Sequence, residues 1–272
     1  MIAFPNAKIN LGLNIVSKRE DGYHNIETCF YPILWSDALE ILKSDTFSFE
    51  SRGLPIAGSI DNNLCVRAYK LMQEKYDLPP VRILLYKNIP MGAGLGGGSS
   101  DATATICLLN ELFELNLKKD DLTQLASSLG SDCAFFVHNK PSIAYGRGNI
   151  MKEINLSLRG KHIIVVYPDV HVSTGNAYAQ TVPAKPTVKI EDILLAQPIR
   201  NWKDKLINDF EKTVFAKHPL LSEIKQMLYM HGAEYAAMSG SGSAIFGIFD
   251  SKPNPASIKG SPQWKTYISV LP

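Results

Sequence analysis

The stretch Pro90–Ala102, PMGAGLGGGSSDA, places five glycines within seven positions and follows them with two serines. Glycine loses more conformational entropy on folding than any other residue. Such a run is either a slack connector or a backbone that must approach something closely. Its flanks argue against slackness. VRILLYK (81–87) reads as a strand entering the loop. SSDATATICLLNELFEL (99–115) reads as a helix leaving it, with Ser99, Ser100 or Asp101 near its start. Consecutive glycines let backbone N–H groups turn inward as an anion nest, and a helix start adds unpaired donors and the positive end of its dipole. The stretch therefore reads as a phosphate cradle.

Three familiar phosphate loops do not fit it. Gly92-x-Gly94-x-x-Gly97 matches the dinucleotide pattern formally, but the acid wanted about 20 residues on would be Glu111 or Glu114, inside the helix. A Walker A loop needs G-K-[ST], and no lysine stands there. The H-R-D and D-F-G elements of protein kinases are absent too.

Outward from the loop, 4–16, 27–35 and 37–42 read as strands. A helix is expected over 62–76, with Leu64, Ala68, Leu71 and Met72 on one face and Asp61 or Asn62 as cap. A second helix covers 119–130 and ends at Gly130, and 162–168 is a strand. Residues 173–181 read as a short helix or turn, 182–205 as irregular or partly helical, and 219–231 as helix. Two strands around a small-residue loop fill 233–249, and no clear helix follows Asp250. Strands and helices cluster without strict βαβ alternation, which favours α+β, with a boundary near 150–160.

The chain has 272 residues, 45% hydrophobic and 20% charged, enough for one large domain or two smaller ones. A net charge of +2 is too small to argue for nucleic acid and leaves room for a local basic site. Cys29, Cys65, Cys107 and Cys133 are widely spaced, against a disulfide framework or zinc knuckle. Cys133 reads as a buried, inert thiol. No signal peptide or membrane-length apolar run is seen, so a cytoplasmic protein is expected.

The loop and four further stretches resemble the GHMP kinases. Pro90, Gly94, Leu95 and Gly96 match the family's Pro-x-x-x-Gly-Leu-Gly-Ser-Ser motif, with Gly97 and Gly98 inserted before Ser99 and Ser100. AKINLGLNI (7–15) is similar to the first motif and DGYHNIET (21–28) to a cytidine-side segment. LGSDCAFFV (129–137) resembles the catalytic Gly-x-Asp-x-x-Phe-Phe segment, with Cys133-Ala134 in place of Val-Pro. MSGSGSAIFGIF (238–249) looks like the third motif. These blocks run in family order over nearly the whole chain.

The resemblance implies a two-domain α+β fold with the site in the interdomain cleft, 1–155 binding ATP and 156–272 binding substrate. It implies ATP and Mg2+, with no carboxylate cluster in the sequence to identify a protein ligand for the metal. The implied substrate is a small molecule, a cytidine diphosphate-linked methylerythritol; no nucleic acid, membrane or obligatory protein partner is implied. Asp132 matches the base that takes the hydroxyl proton, and Lys8 the residue that orients that hydroxyl and offsets charge. The matched ATP positions are Pro90, Gly92, Gly94, Leu95, Gly96, Gly97, Gly98, Ser99 and Ser100, with Asn63 and Lys87 nearby. Asn10 matches a polar position beside the methylerythritol group. Tyr23, His24, Thr174 and Tyr178 match the cytosine pocket, and Gly240 and Ser241, with Gly242, a second close backbone turn.

Each residue also has a plainer role open to it. Lys8 could be an exposed strand residue and Asp132 a turn acid or helix cap. Asn63 could be an N-cap, Lys87 a solvated strand-end lysine, and Gly240–Gly242 a hairpin turn. Tyr23 and Tyr178 could be packing residues, and Asp101 puts an acid near the expected phosphates.

Overall fold

The computed structural model describes residues 1–254 and 263–272. Its strands are β1 (Ile2–Ala3), β2 (Asn6–Lys18), β3 (His24–Ser36), β4 (Ala38–Lys43), β5 (Ser48–Gly53), β6 (Val81–Lys87), β7 (Ser142–Tyr145), β8 (Ile150–Glu153), β9 (His162–Tyr167), β10 (Tyr235–Met238), β11 (Ile245–Phe249) and β12 (Lys265–Val270). The helices are α1 (Leu64–Tyr76), α2 (Gly97–Leu112), α3 (Lys119–Leu129), α4 (Cys133–His138), α5 (Thr174–Gln180), α6 (Ile190–Ala196), α7 (Phe210–Lys217) and α8 (Pro219–Met230).

By internal packing the chain forms two units. The first comprises Met1–Ala7, Trp35–Met91 and Gly96–Asn139; the second comprises Lys8–Leu34, Gly92–Leu95 and Lys140–Pro272. Compactness therefore does not cut the chain once after residue 155. Most of β2 and β3 joins β7 and β8 in one sheet, which draws Lys8–Leu34 into the second unit.

The first unit holds a sheet of order β1-β4-β6-β5, in which only β5 runs parallel to its neighbour. Along β6, Val81, Ile83, Leu85 and Lys87 point inward while Arg82 and Tyr86 are exposed, the period of two that a half-buried strand requires. Ile83 and Leu85 pack with Leu39 and Ile41 of β4 against Ala68 and Met72 of α1 and Ile106 and Leu109 of α2. Each large aliphatic side chain buried there contributes about 1.5–3 kcal/mol.

The second unit holds two four-stranded sheets, β2-β3-β7-β8 and β10-β11-β9-β12. Its core sets Phe210 and Val214 of α7 and Leu221, Ile224 and Leu228 of α8 against Val166, Met238 and Ile245. β12 is a strand in a region where the sequence offered no element. It pairs antiparallel with β9 at the sheet edge, and its half-exposed residues carry no apolar alternation. Residues 255–262, part of the same Pro-rich tail, lie outside the described residues.

Candidate active site

In the first unit, α2 begins at Gly97, two residues before the first serine. Gly96 takes a left-handed backbone, φ 71°, and ends the loop there. No side chain caps this end. The Ser100 N–H donates to the Gly96 carbonyl at 2.9 Å; those of Gly97, Gly98 and Ser99 precede that bond and have no helical acceptor. Three donors and the dipole end thus converge where an anion would sit. Of the loop residues leading in, Pro90 is buried and Met91 and Gly92 are exposed.

Lys87 lies under this helix start. Its side chain is 0% exposed, paired with Asp37 and, at 2.8 Å, with Asp101 Oδ2. Asp37 Oδ1 also accepts from the Asn88 and Ile89 N–H groups at 2.6 and 2.8 Å. A Cβ on Gly97 would come within 2.9 Å of Lys87 Nζ. One expectation changes here: Lys87 is not a solvated strand-end lysine but a buried one, its ammonium paired with two carboxylates. Asp101 likewise points inward to Lys87. Burial alone would make either charge costly, and each supplies the other's partner.

Asn63 caps α1, its Oδ1 accepting from the Cys65 N–H at 2.9 Å. Asp132 stands immediately before α4 with its side chain making no cap hydrogen bond. Thr103 Oγ1 bonds both the Ser99 carbonyl (2.9 Å) and the Cys133 carbonyl (2.8 Å), tying the start of α4 to the first turn of α2. Cys133 is fully buried; burial pushes its thiol up to about 11, against an opposing hydrogen bond with Ser99. With Ala134 it begins α4, so the departure from Val-Pro here still yields a helix start.

The second unit fixes the loop segment Gly92–Leu95. Lys8 N–H donates to the Leu95 carbonyl at 2.9 Å and Ala244 N–H to the Ala93 carbonyl at 3.1 Å. Ser239 Oγ donates to the Gly94 carbonyl at 2.8 Å. Gly94 has φ 79°, and a Cβ there would run into the Ser239 carbonyl oxygen. Gly240, φ 56°, leaves only 3.2 Å between its absent Cβ and Gly94 Cα. First motif, glycine loop and third motif therefore meet backbone to backbone.

The period of two along β2 puts Lys8 and Asn10 on one face. Lys8 Nζ donates to Asn10 Oδ1 at 2.6 Å and lies 4.8 Å from the Phe30 ring centroid. Asn10 Nδ2 donates to Thr28 Oγ1 at 2.9 Å, which donates onward to the Gly12 carbonyl. Lys8 is buried, not an exposed strand residue. Thr174 and Ser241 hydroxyls lie 2.9 Å apart.

His24 stacks on Tyr178, ring centroids 5.0 Å apart, and Tyr178 meets Phe210 edge-on at 4.8 Å. Burial first, then the Lys18 charge, lowers the His24 pKa, favouring the neutral ring with one donor and one acceptor. Tyr23 is exposed, with the Arg147 guanidinium 4.5 Å from its ring.

Asp37, Thr103 and Asn208 were not anticipated from sequence. Asn208 Nδ2 donates to the Met238 and Gly240 carbonyls, both at 2.8 Å, and so holds the third-motif turn. Among the described residues no group of three or more His, Cys, Asp or Glu is placed to hold a metal ion, and no helix is long and apolar enough to cross a membrane.

An open helix start behind a glycine loop is an anion-binding arrangement of the kind a phosphate requires. The chain belongs to the GHMP kinases: residues 63–140 match the GHMP kinases N terminal domain and 191–261 the GHMP kinases C terminal model. It is 53% identical over 253 residues to the 4-diphosphocytidyl-2-C-methyl-D-erythritol kinase of Bacteroides fragilis, covering 92% of each chain. To the protein of that name from Porphyromonas gingivalis it is 46% identical, over 98% of this chain and 100% of the relative. A crystal structure of 4-(cytidine 5'-diphospho)-2C-methyl-D-erythritol kinase superposes with TM-score 0.80 at 34% identity, covering 93% of this chain and 91% of that one. The Methanococcus jannaschii mevalonate kinase, 14% identical over 100% of this chain and 98% of its own, shares the fold at TM-score 0.73.

Proposed function

We propose that this chain transfers the γ-phosphoryl group of ATP to the 2-hydroxyl of 4-diphosphocytidyl-2-C-methyl-D-erythritol, releasing ADP and the 2-phosphate, in isoprenoid precursor synthesis. The observation that carries the substrate choice, beside the relatives' name, is the His24–Tyr178 stack. A neutral imidazole can donate to and accept from a pyrimidine edge, and Tyr178 offers a stacking face. Mevalonate, homoserine and galactose have no base for such a pair to grip.

In this reading the Gly97, Gly98 and Ser99 N–H groups bind phosphate oxygens. Asp132 accepts the hydroxyl proton as the phosphoryl group arrives, while Lys8, held by Asn10, orients the hydroxyl and offsets charge. Asn10, Thr174, Gly240 and Ser241 line the remaining polar contacts of the substrate, and Asn63 shapes the nucleotide side. Bound with the nucleotide, magnesium neutralises charge on the β- and γ-phosphates. Asp101, the acid beside the loop serines, is turned onto Lys87 and would not hold that metal. The widely spaced free cysteines suit a reducing compartment, and we place the enzyme in the cytoplasm without an obligatory protein partner.

The test is a coupled ADP-release assay with Mg-ATP, comparing the cytidyl substrate with mevalonate, homoserine and galactose, with product mass checked. ADP and a monophosphorylated product are expected with the cytidyl substrate alone. Turnover with another alcohol instead would discard the cytosine pocket. Asp132→Asn is expected to fold normally and lose at least about 100-fold in kcat, the scale of general-base assistance. Normal turnover would remove Asp132 from that role.

A further inference from the structure

We propose that Lys87, Asp37 and Asp101 form a buried positioning cluster beneath the glycine loop, and that nucleotide binding there draws a proton from solvent onto Asp101. The proposal rests on the reading of the loop as the ATP phosphate site.

The charge count motivates it. Two carboxylates share one ammonium, at side-chain exposures of 0% for Lys87 and Asp37 and 3% for Asp101. Fully ionised, the cluster would carry a net negative charge where water does not reach, directly under donors arranged for an anion. A buried uncompensated charge is costly, and like charges nearby make it costlier. One bound proton makes the cluster neutral.

Geometry selects the oxygen that takes it. Asp37 accepts from Lys87 and from two backbone N–H groups. Asp101 Oδ2 accepts from Lys87, whereas its Oδ1 is buried with no hydrogen-bond partner. Burial pushes Asp101 up to about 7, with Lys87 pulling it down and Asp37 pushing it up. The other groups facing it do not compete for the proton near neutrality. Burial works against the Lys87 ammonium, but the two carboxylates outweigh it and raise its pKa. The Cys65 thiol on α1 is pushed far up by burial and stays uncharged. On α2 itself, Thr105 Oγ1 is spent on the Asp101 carbonyl.

The direction follows. Phosphate oxygens on the first turn of α2 disfavour the Asp101 carboxylate, so its pKa rises in the complex and a proton enters with the nucleotide. With a rise of about one unit, about half a proton is taken up near pH 7, fading toward about pH 5 and about pH 9. Nucleotide affinity falls by up to about tenfold as pH rises through that window.

The experiment is titration calorimetry of the full chain with Mg–AMP-PNP in buffers of differing ionisation enthalpy, across that pH range. Wild type is expected to show the uptake, and Asp101→Asn to lose it and bind with an affinity insensitive to pH there. Reading the difference between the two proteins cancels protons exchanged by the nucleotide itself. Infrared difference spectra of the wild type provide a second readout should the variant fail to fold: the carbonyl stretch of a protonated carboxyl should grow on nucleotide addition. Binding without uptake, equal uptake in the variant, or no growth of that band overturns the coupling. No binding at any pH would instead overturn the phosphate-loop reading and this proposal with it.

Discussion

Replacing Gly94 and Gly98 by alanine should have opposite effects on stability, although only three residues lie between them. At Gly94 an alanine must hold φ near 79°, which costs about 1–2 kcal/mol for an L-residue. Its methyl would also strike the Ser239 carbonyl oxygen, a backbone atom that cannot swing aside. Relief means pulling the loop off the Ser239 hydroxyl and weakening that 2.8 Å hydrogen bond, about 1 kcal/mol more. A stiffer unfolded chain returns about 0.4–1 kcal/mol. The net loss is about 2 kcal/mol, or a melting temperature lower by about 4–8 °C at this size.

Gly98 sits inside α2, and an added Cβ would find Leu64 Cδ1 at 3.7 Å and Met91 Cε at 3.8 Å, ordinary contacts. Alanine there gains up to about 1 kcal/mol of helix propensity. The same methyl crowds the open donors of the first turn, so the KM for ATP should rise about tenfold, the scale of one charge-assisted hydrogen bond. Thermal melts and ATP kinetics of both variants, side by side, decide the matter. A Gly94→Ala protein that melts like wild type would refute the backbone contact. A Gly98→Ala protein that is less stable, or that binds ATP unchanged, would refute the assignment of the open helix start.

Asn208→Ala should cost about 3 kcal/mol by urea unfolding, since it strands the buried Met238 and Gly240 carbonyls; a loss under about 1 kcal/mol would mean water replaces them without strain. His24→Gln should raise the KM for the cytidyl substrate about tenfold and leave that for ATP alone. Because the His24 pKa lies below the ordinary 6.5, its proton binds more tightly in the unfolded chain. Its contribution to stability and to base recognition is therefore complete above pH 6.5 and lost as pH falls below it, as substrate titrations on the acid side should show. With its thiol pushed up to about 11 and no exposure, Cys133 should resist alkylation in the native protein while half-buried Cys107 labels first, by peptide mass mapping.

What the sequence revealed and what it concealed divide along a physical line. Chemistry carried by the backbone was legible: five glycines between an apolar strand and an apolar helix announce a close approach, and the loop does lie against Ser239 and Gly240. Helices and strands with clean apolar periods were legible too, as in α1, β6 and α8. Short or half-exposed elements such as β5 and β12 were not, because few of their side chains point into a core. Buried polar pairs were the least legible, since their partners lie far apart in sequence. Lys87 and Asp37 are separated by 50 positions, and Asn208 and Gly240 by 32. One signal had been available. The alternation Val81, Ile83, Leu85 predicts that position 87 faces inward, so Lys87 needed acids around it before it needed a nucleotide.

That burial changes how the loop works. A lysine projecting into the phosphates would bind them by its own charge, and its removal would cost affinity directly. Here the positive charge sits behind the helix start, and Asp37 and Asp101 between them cancel its field. In the proposed reading, the phosphates are left to N–H groups whose positions are set by Gly96 and Thr103. Asp37 fixes the strand end through Asn88 and Ile89, Asp101 fixes the helix, and Lys87 joins the two, so the cluster sets the distance between the ends of the loop. Rigidity of this kind favours catalysis, because donors fixed in advance need no reorganisation when charge moves onto the transferred group. The glycines then supply close approach, while the buried ions beneath keep a glycine-rich backbone from wandering.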